Sequence, residues 1–229
     1  MDYYKKVKEE RSFNLMIYQL FETYFFQQSK KYFTGKLIDI GCGVKPYFEQ
    51  LKSTVTEHIG VDHELSIHDH SKIDLVGTAY NIPSADNVFD SALCTAVLEH
   101  LEEPELAIRE CYRVLKPDGI AIYSVPFIWH IHEEPRDFFR YSSFGLEYLF
   151  TKAGFEIIEI KPLSGFIVTF LQLHLYFISG KLNKGLIKKL GIFKAYVFLI
   201  NRLGLWLNKF DKSYSWTWMY VVTAKAVKN

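Results

Sequence analysis

The chain has 229 residues, enough for one domain with a full core, and its formal charge of +1 gives no electrostatic reason to expect nucleic acid. Hydrophobic residues make up 49% of it and aromatics 17%, so some apolar surface is expected to serve a ligand, a partner or a membrane. Cys42, Cys94 and Cys111 are scattered without a C-x-x-C pair, which suits a reducing cytoplasm and argues against a disulfide framework or a zinc site. The polar start, Met1 to Lys6, leads into an amphipathic stretch and shows no signal-peptide pattern. In chain order the patterning predicts a helix over 12–31 and strands over 36–40, 57–61, 73–76, 88–94, 119–125, 155–160 and 218–226. Helices are expected over 46–52, 104–116 and 143–153, with breakers at Lys116-Pro117-Asp118-Gly119 and Ala153-Gly154. Strands alternating with helices imply an α/β, doubly wound, mostly parallel sheet of seven strands, with ligands beyond the carboxyl ends of the strands.

The first such end is Leu37 to Tyr47, an apolar strand that enters a glycine turn and then a helix start. Gly41 and Gly43 leave no Cβ in the way of a ligand. A dinucleotide pyrophosphate needs a third glycine three residues after the second, and that position is Pro46. Asp39 before the turn would repel a pyrophosphate and suits a ligand with an ammonium group. The pattern Asp39-x-Gly41-x-Gly43 resembles the first motif of the class I S-adenosylmethionine-dependent methyltransferases, with Lys45 in place of the family's usual next glycine. The resemblance implies a Rossmann-like methyltransferase fold and S-adenosylmethionine as cofactor, with Gly41, Cys42 and Gly43 against it.

Asp62 follows the second strand at once, where a carboxylate can accept hydrogen bonds from both ribose hydroxyls. The segment Gly77 to Pro83 resembles the family's adenine-reading stretch, with Thr78 where an acid is usual and the Ala79 amide for a ring nitrogen. Asp86 to Leu101 resembles the fourth strand and its loop, which implies Cys94 and Thr95 beneath the methionine part of the cofactor. Arg113 to Gly119 is another of the family's hallmarks. Between these motifs, His63 to His70 crowds imidazoles and carboxylates into eight residues, but the spacing matches no familiar ligand set. A polar loop beside the ribose site accounts for it, and no metal is expected.

After the fifth strand comes Phe127 to Ser142, with two histidines, three acids, two arginines and several aromatics, a composition that marks functional loops on rigid scaffolds. Its segment His132-x-x-Pro135-x-Asp137-Phe138-Phe139-Arg140-Tyr141 resembles one in methyltransferases of polysaccharide and surface-glycan biosynthesis, which implies a sugar or glycan precursor as acceptor. Methyl transfer is an in-line displacement, so a hydroxyl acceptor must be aligned and must lose its proton. His132 has the pKa of a general base, with Asp137 as its orienting partner or as the base itself. Arg140 holds an anionic group of the acceptor or pairs with Asp137, and His130 and Tyr141 complete the expected acceptor wall.

Residues 163–212 are expected to be a helical insertion before the last strand, serving as a lid, a homodimer surface or a peripheral membrane contact. The sequence thus reads as a single class I methyltransferase domain over 1–229, with a helical segment over 1–34, cytoplasmic or peripheral at the inner membrane face. Two alternatives stay open: a methyltransferase for a lipophilic quinone or polyketide, and a cofactor-binding partner subunit without catalysis.

Overall fold

The computed structural model describes residues 9–64, 70–182 and 191–228. Contacts divide the chain into two compact units, one comprising Met1–Tyr24, Ile128–His130 and Pro162–Met219, the other Phe25–Phe127, Ile131–Lys161 and Tyr220–Asn229.

A seven-stranded sheet runs in the order β3-β2-β1-β4-β5-β7-β6. Its strands are β1 (Lys36–Ile40), β2 (Glu57–Asp62), β3 (Leu75–Val76), β4 (Phe89–Thr95), β5 (Leu115–Pro126), β6 (Phe155–Pro162) and β7 (Met219–Ala226). β1 pairs in parallel with both β2 and β4, as do β2 with β3 and β4 with β5. The order therefore reverses between β1 and β4, which opens a crevice at their carboxyl ends. The expected strands are all present, within two residues of their predicted limits except that β5 begins four residues early. Lys116 to Gly119 is the reason: β5 starts at Leu115 opposite Phe89, and the register slips before Ile120 meets Ser91. Asp118 takes a φ of 62° inside that irregularity.

The helices are α1 (Leu15–Tyr32), α2 (Phe48–Leu51), α3 (Pro104–Val114), α4 (Ser143–Lys152), α5 (Phe166–Leu182) and α6 (Ile192–Leu207). α3 buries Ala107, Ile108, Cys111 and Val114, an i, i+4, i+7 stripe, and starts on Pro104, whose missing N–H costs nothing in a first turn. α4 starts where the Ser142 hydroxyl accepts from the Gly145 amide. Around the sheet the core gathers Ile38, Ile40, Leu98, Ile108, Val114, Tyr123, Phe150 and Val222. The rings of Tyr123 and Phe150 meet edge to face at 5.1 Å, and each buried side chain of this kind contributes about 2–3 kcal/mol.

In the other unit the predicted insertion is helical, as α5 and α6. Gln172 and Asn201 are wholly buried within it. The Asn201 carbonyl oxygen accepts from the Met16 amide at 2.8 Å, and the Gln172 amide donates to Asn14 at 2.6 Å. No helix among the described residues is long and apolar enough to cross a membrane.

Candidate functional site

The turn after β1 is built from backbone that most residues avoid. Gly41 and Gly43 take φ of 68° and 48°, and a Cβ on Gly41 would lie 2.5 Å from the Val97 side chain. Lys45, where the family's next glycine was expected, adopts a φ of 49°. Its ammonium is buried, donating to the His58 carbonyl at 2.9 Å and to Asp74. A left-handed lysine is strained, and this buried anchor is what holds it there.

Asp39 lies under the turn, 3% exposed, with Oδ2 2.9 Å from His58 Nε2. Burial raises the Asp39 carboxyl above its ordinary value, and the histidine opposes that rise. Asp62 faces the other way in its hydrogen bonding: Oδ2 accepts from the Gly43 amide at 2.9 Å and Oδ1 from the His63 amide at 2.8 Å. Each oxygen retains a lone pair after these bonds. Cys42 and Cys94 are buried thiols, so the chain offers their backbone rather than their sulfur, and burial pushes the Cys42 thiol up to about 12.

Thr78 and Ala79 begin a tight turn closed by Thr78 and Asn81. Arg113 positions this stretch, donating to the carbonyls of Ile82 at 3.1 Å and Ser84 at 2.9 Å, and to Glu110, which accepts from the Ile82 amide. That network gives the Arg113-to-Gly119 motif a physical role. Of the polar loop at His63 to His70, residues 65–69 lie outside the described residues.

The segment from His132 to Tyr141, expected to face the acceptor, is pinned to the segment after β4. The Glu99 carbonyl accepts from the Phe138 and Phe139 amides at 2.9 and 3.2 Å, and the Tyr141 hydroxyl donates to the Leu98 carbonyl at 3.0 Å. Tyr141 is thereby buried and holds the loop. Asp137 receives both guanidinium nitrogens of Arg140 at 2.6 Å and the His132 amide at 2.9 Å. The Arg140 guanidinium holds the Asp137 carboxyl well below the usual carboxylate range. His132 Nδ1 lies 3.3 Å from Asp137 Oδ2, and partial burial lowers the imidazole pKa below its ordinary value, against the pull of Asp137. His130 lies in the other unit, its ring 4.2 Å from that of Tyr176.

Sequence reasoning passed over Glu99 and His100. Glu99 is 0% exposed, no donor from another residue reaches either carboxylate oxygen in hydrogen-bond geometry, and burial pushes its pKa up to about 8. His132 Nε2 lies 3.9 Å and His100 Nε2 3.8 Å from Glu99 Oε1. His100 Nδ1 meets the Arg136 carbonyl at 2.5 Å and so donates to it, which turns Nε2 toward Glu99. The two imidazoles and the buried carboxyl thus lie side by side, their nearest nitrogen and oxygen atoms within 4.8 Å of one another. The only trace of this grouping in the sequence is Leu98-Glu99-His100, where nothing marks the glutamate as buried.

Residues 38–123 match the sequence family described as a methyltransferase domain. Ubiquinone biosynthesis O-methyltransferase of Yersinia enterocolitica is 26% identical over 112 residues, 44% of this chain and 46% of that protein. Demethylmenaquinone methyltransferase of Corynebacterium kroppenstedtii is 30% identical over 100 residues, 41% and 44% of the two chains. The matches thus span about half the length of these curated relatives. Among solved structures, a protein of Thermotoga maritima described as a possible histamine N-methyltransferase is similar with a TM-score of 0.52 and 28% identity, covering 68% of this chain and 79% of that one. The cyclase SpnF is similar with a TM-score of 0.57 and 20% identity over 90% and 81% of the chains, a likeness of fold alone.

Proposed function

Because residues 38–123 form a class I, S-adenosylmethionine-dependent methyltransferase domain, we propose that the chain transfers a methyl group to a hydroxyl oxygen, with His132 as the base. S-Adenosylmethionine supplies the methyl group on a sulfonium, a cation that departs as a neutral thioether. The site residues fit it. Gly41 and Gly43 offer bare backbone at the sheet's reversal point, and Asp62, held by two amides, keeps lone pairs for the ribose hydroxyls. Thr78 and the Ala79 amide, in a turn stapled by Arg113, are proposed to read the adenine. The backbone of Cys42, Cys94 and Thr95 would border the methionine part of the bound cofactor, with Asp39 beneath the turn.

The observation that carries the base assignment is the His132 ring, its Nδ1 3.3 Å from Asp137 Oδ2 and 3.4 Å from Arg140 Nη2, on a segment held by the Asp137 carboxylate. A neutral imidazole can take the acceptor's proton as the oxygen attacks. Asp137, saturated by Arg140 and the His132 amide, orients rather than titrates. Arg140 and Tyr141, on the same segment as His132, are proposed to line the acceptor side, with Arg140 held in place by Asp137. The resemblance of the His132-to-Tyr141 segment favours a sugar or glycan precursor as acceptor. A second reading, a quinone-type lipophilic acceptor, is favoured by the two relatives above, named for ubiquinone biosynthesis and for demethylmenaquinone.

Titration calorimetry with S-adenosylmethionine and S-adenosylhomocysteine tests the first step, and absence of binding by both overturns the reading. Turnover on nucleotide sugars against catechol-type quinone precursors then separates the acceptors. His132→Ala should lose about 100-fold or more in kcat with unchanged cofactor affinity. Full turnover by that variant would remove the base assignment and leave the cofactor reading intact.

A further inference from the structure

The unit that holds α5 and α6 exposes an unusual set of side chains. α6 buries Phe193, Val197, Asn201 and Gly204 on one side, and a helix of this kind ordinarily turns a polar stripe to water. Here the outward stripe is Ile192, Leu199, Leu203 and Trp206, continued by Phe210, with 53%, 64%, 44%, 56% and 68% of their surfaces exposed. The spacing of 7, 4, 3 and 4 residues returns these positions to one side at 3.6 residues per turn. Phe166 and Phe170 of α5 are also exposed, their rings stacked at 5.7 Å with Trp216 edge-on to Phe166. Scattered apolar residues on a surface need no explanation, but an exposed apolar stripe along one helix, with a tryptophan and further exposed aromatics in the same unit, does.

Charge selects the occupant. From Pro162 to Met219 the sequence carries eight lysines and arginines against one acid, Asp211, while the whole chain is only +1. Arg202 and Lys209 border the exposed stripe. The one acid, Asp211, accepts from the Ile167 amide at 2.7 Å and the Ser213 amide at 2.9 Å and offsets one of the eight, which leaves an excess of seven positive charges over this segment. A second copy docked through the same face about a two-fold axis would set these cations near their own copies. A lipid surface with anionic headgroups takes apolar and aromatic side chains into its acyl boundary and lysines and arginines into its headgroups.

We propose that the outward face of α6, with Phe166, Phe170 and Trp216, is a docking surface for an anionic lipid bilayer, on which the protein lies peripherally. The inference is independent of the acceptor and of the methyl-transfer reading. Vesicle flotation with the full chain tests it, using phosphatidylcholine vesicles with and without phosphatidylglycerol. Binding to the anionic vesicles should be at least about tenfold stronger than to neutral ones and should weaken with salt. Leu199→Glu with Trp206→Glu should abolish binding without changing the far-ultraviolet circular dichroism, since both side chains point to solvent. Arg202→Gln with Lys209→Gln should reduce binding to the anionic vesicles alone. Absence of flotation overturns the proposal, as does flotation indifferent to both double variants. A dimer in sedimentation that Leu199→Glu with Trp206→Glu makes monomeric, with no vesicle binding, would assign the face to a second copy instead.

Discussion

Glu99 shows how a single side chain can carry chemistry that its neighbours in sequence do not announce. Its carboxyl is wholly buried, and the groups facing it are His100, His132, Arg140, Asp137 and Glu133. Desolvation outweighs them and moves its pKa up to about 8, so the folded chain binds this proton more tightly than the unfolded chain does. Between the ordinary glutamate value and about 8 the native state therefore holds more protons, and stability falls as pH rises. The slope can reach about 1.4 kcal/mol per pH unit. Urea unfolding across pH 5 to 8 should show that decline in the wild type, and Glu99→Gln, neutral at every pH, should flatten it. Equal slopes for the two proteins would mean that Glu99 is ionised throughout. The His132 contribution has the opposite sense, because its lowered pKa lets the unfolded chain hold the proton longer, which favours folding as pH rises through the acid range.

The element that positions the cofactor region is the β1 turn, and its strain is distributed over more residues than the glycines show. Asp39-x-Gly41-x-Gly43 was legible because glycine and aspartate at strand ends are rare enough to carry meaning. Lys45 was legible only as a departure. Its anchor, the His58 carbonyl and Asp74, lies on and beyond β2, and no local pattern connects position 45 to positions 58 and 74. Gly60 belongs to the same device. A Cβ there would lie 2.6 Å from Cys42 Sγ and would also meet the Lys45 stem, so β2 must be bare where the lysine crosses it. Gly60→Ala should therefore cost about 1–3 kcal/mol and should weaken cofactor binding as Cys42 shifts. Gly180→Ala in α5 is the control, since nothing lies within 4 Å of its added Cβ, and it should be neutral or stabilising by up to about 1 kcal/mol. Thermal melts and calorimetry on both variants check this, and a Gly60→Ala protein as stable as wild type would show that the lysine stem yields at no cost.

Over the whole molecule, legibility follows the range of the interaction. Strands and helices were read from local periodicity because each element's buried face is written in its own residues, as in α3 with Ala107, Ile108, Cys111 and Val114. The acceptor loop was read as functional from composition, but its attachment to Leu98 and Glu99 through backbone amides and one hydroxyl left no side-chain pattern to detect. Least legible were the buried polar contacts of the α5 and α6 unit, where Asn201 meets Met16 across 185 residues of chain. An asparagine in an apolar helix reads as a weak interruption. In the structure it accepts from the Met16 amide and donates to the Phe13 carbonyl at 3.1 Å and the Val197 carbonyl at 2.9 Å, while being wholly buried. Asn201→Leu would keep the volume and remove every one of these bonds, leaving the Met16 N–H and the Phe13 C=O buried without partners. Each such group costs about 1–3 kcal/mol, so the variant should lose about 2–4 kcal/mol in urea unfolding despite its greater hydrophobicity. A hydrophobic gain that left stability unchanged or raised would mean that the segment around Phe13 and Met16 is satisfied by water, and amide hydrogen exchange at Met16 distinguishes that outcome by its rate.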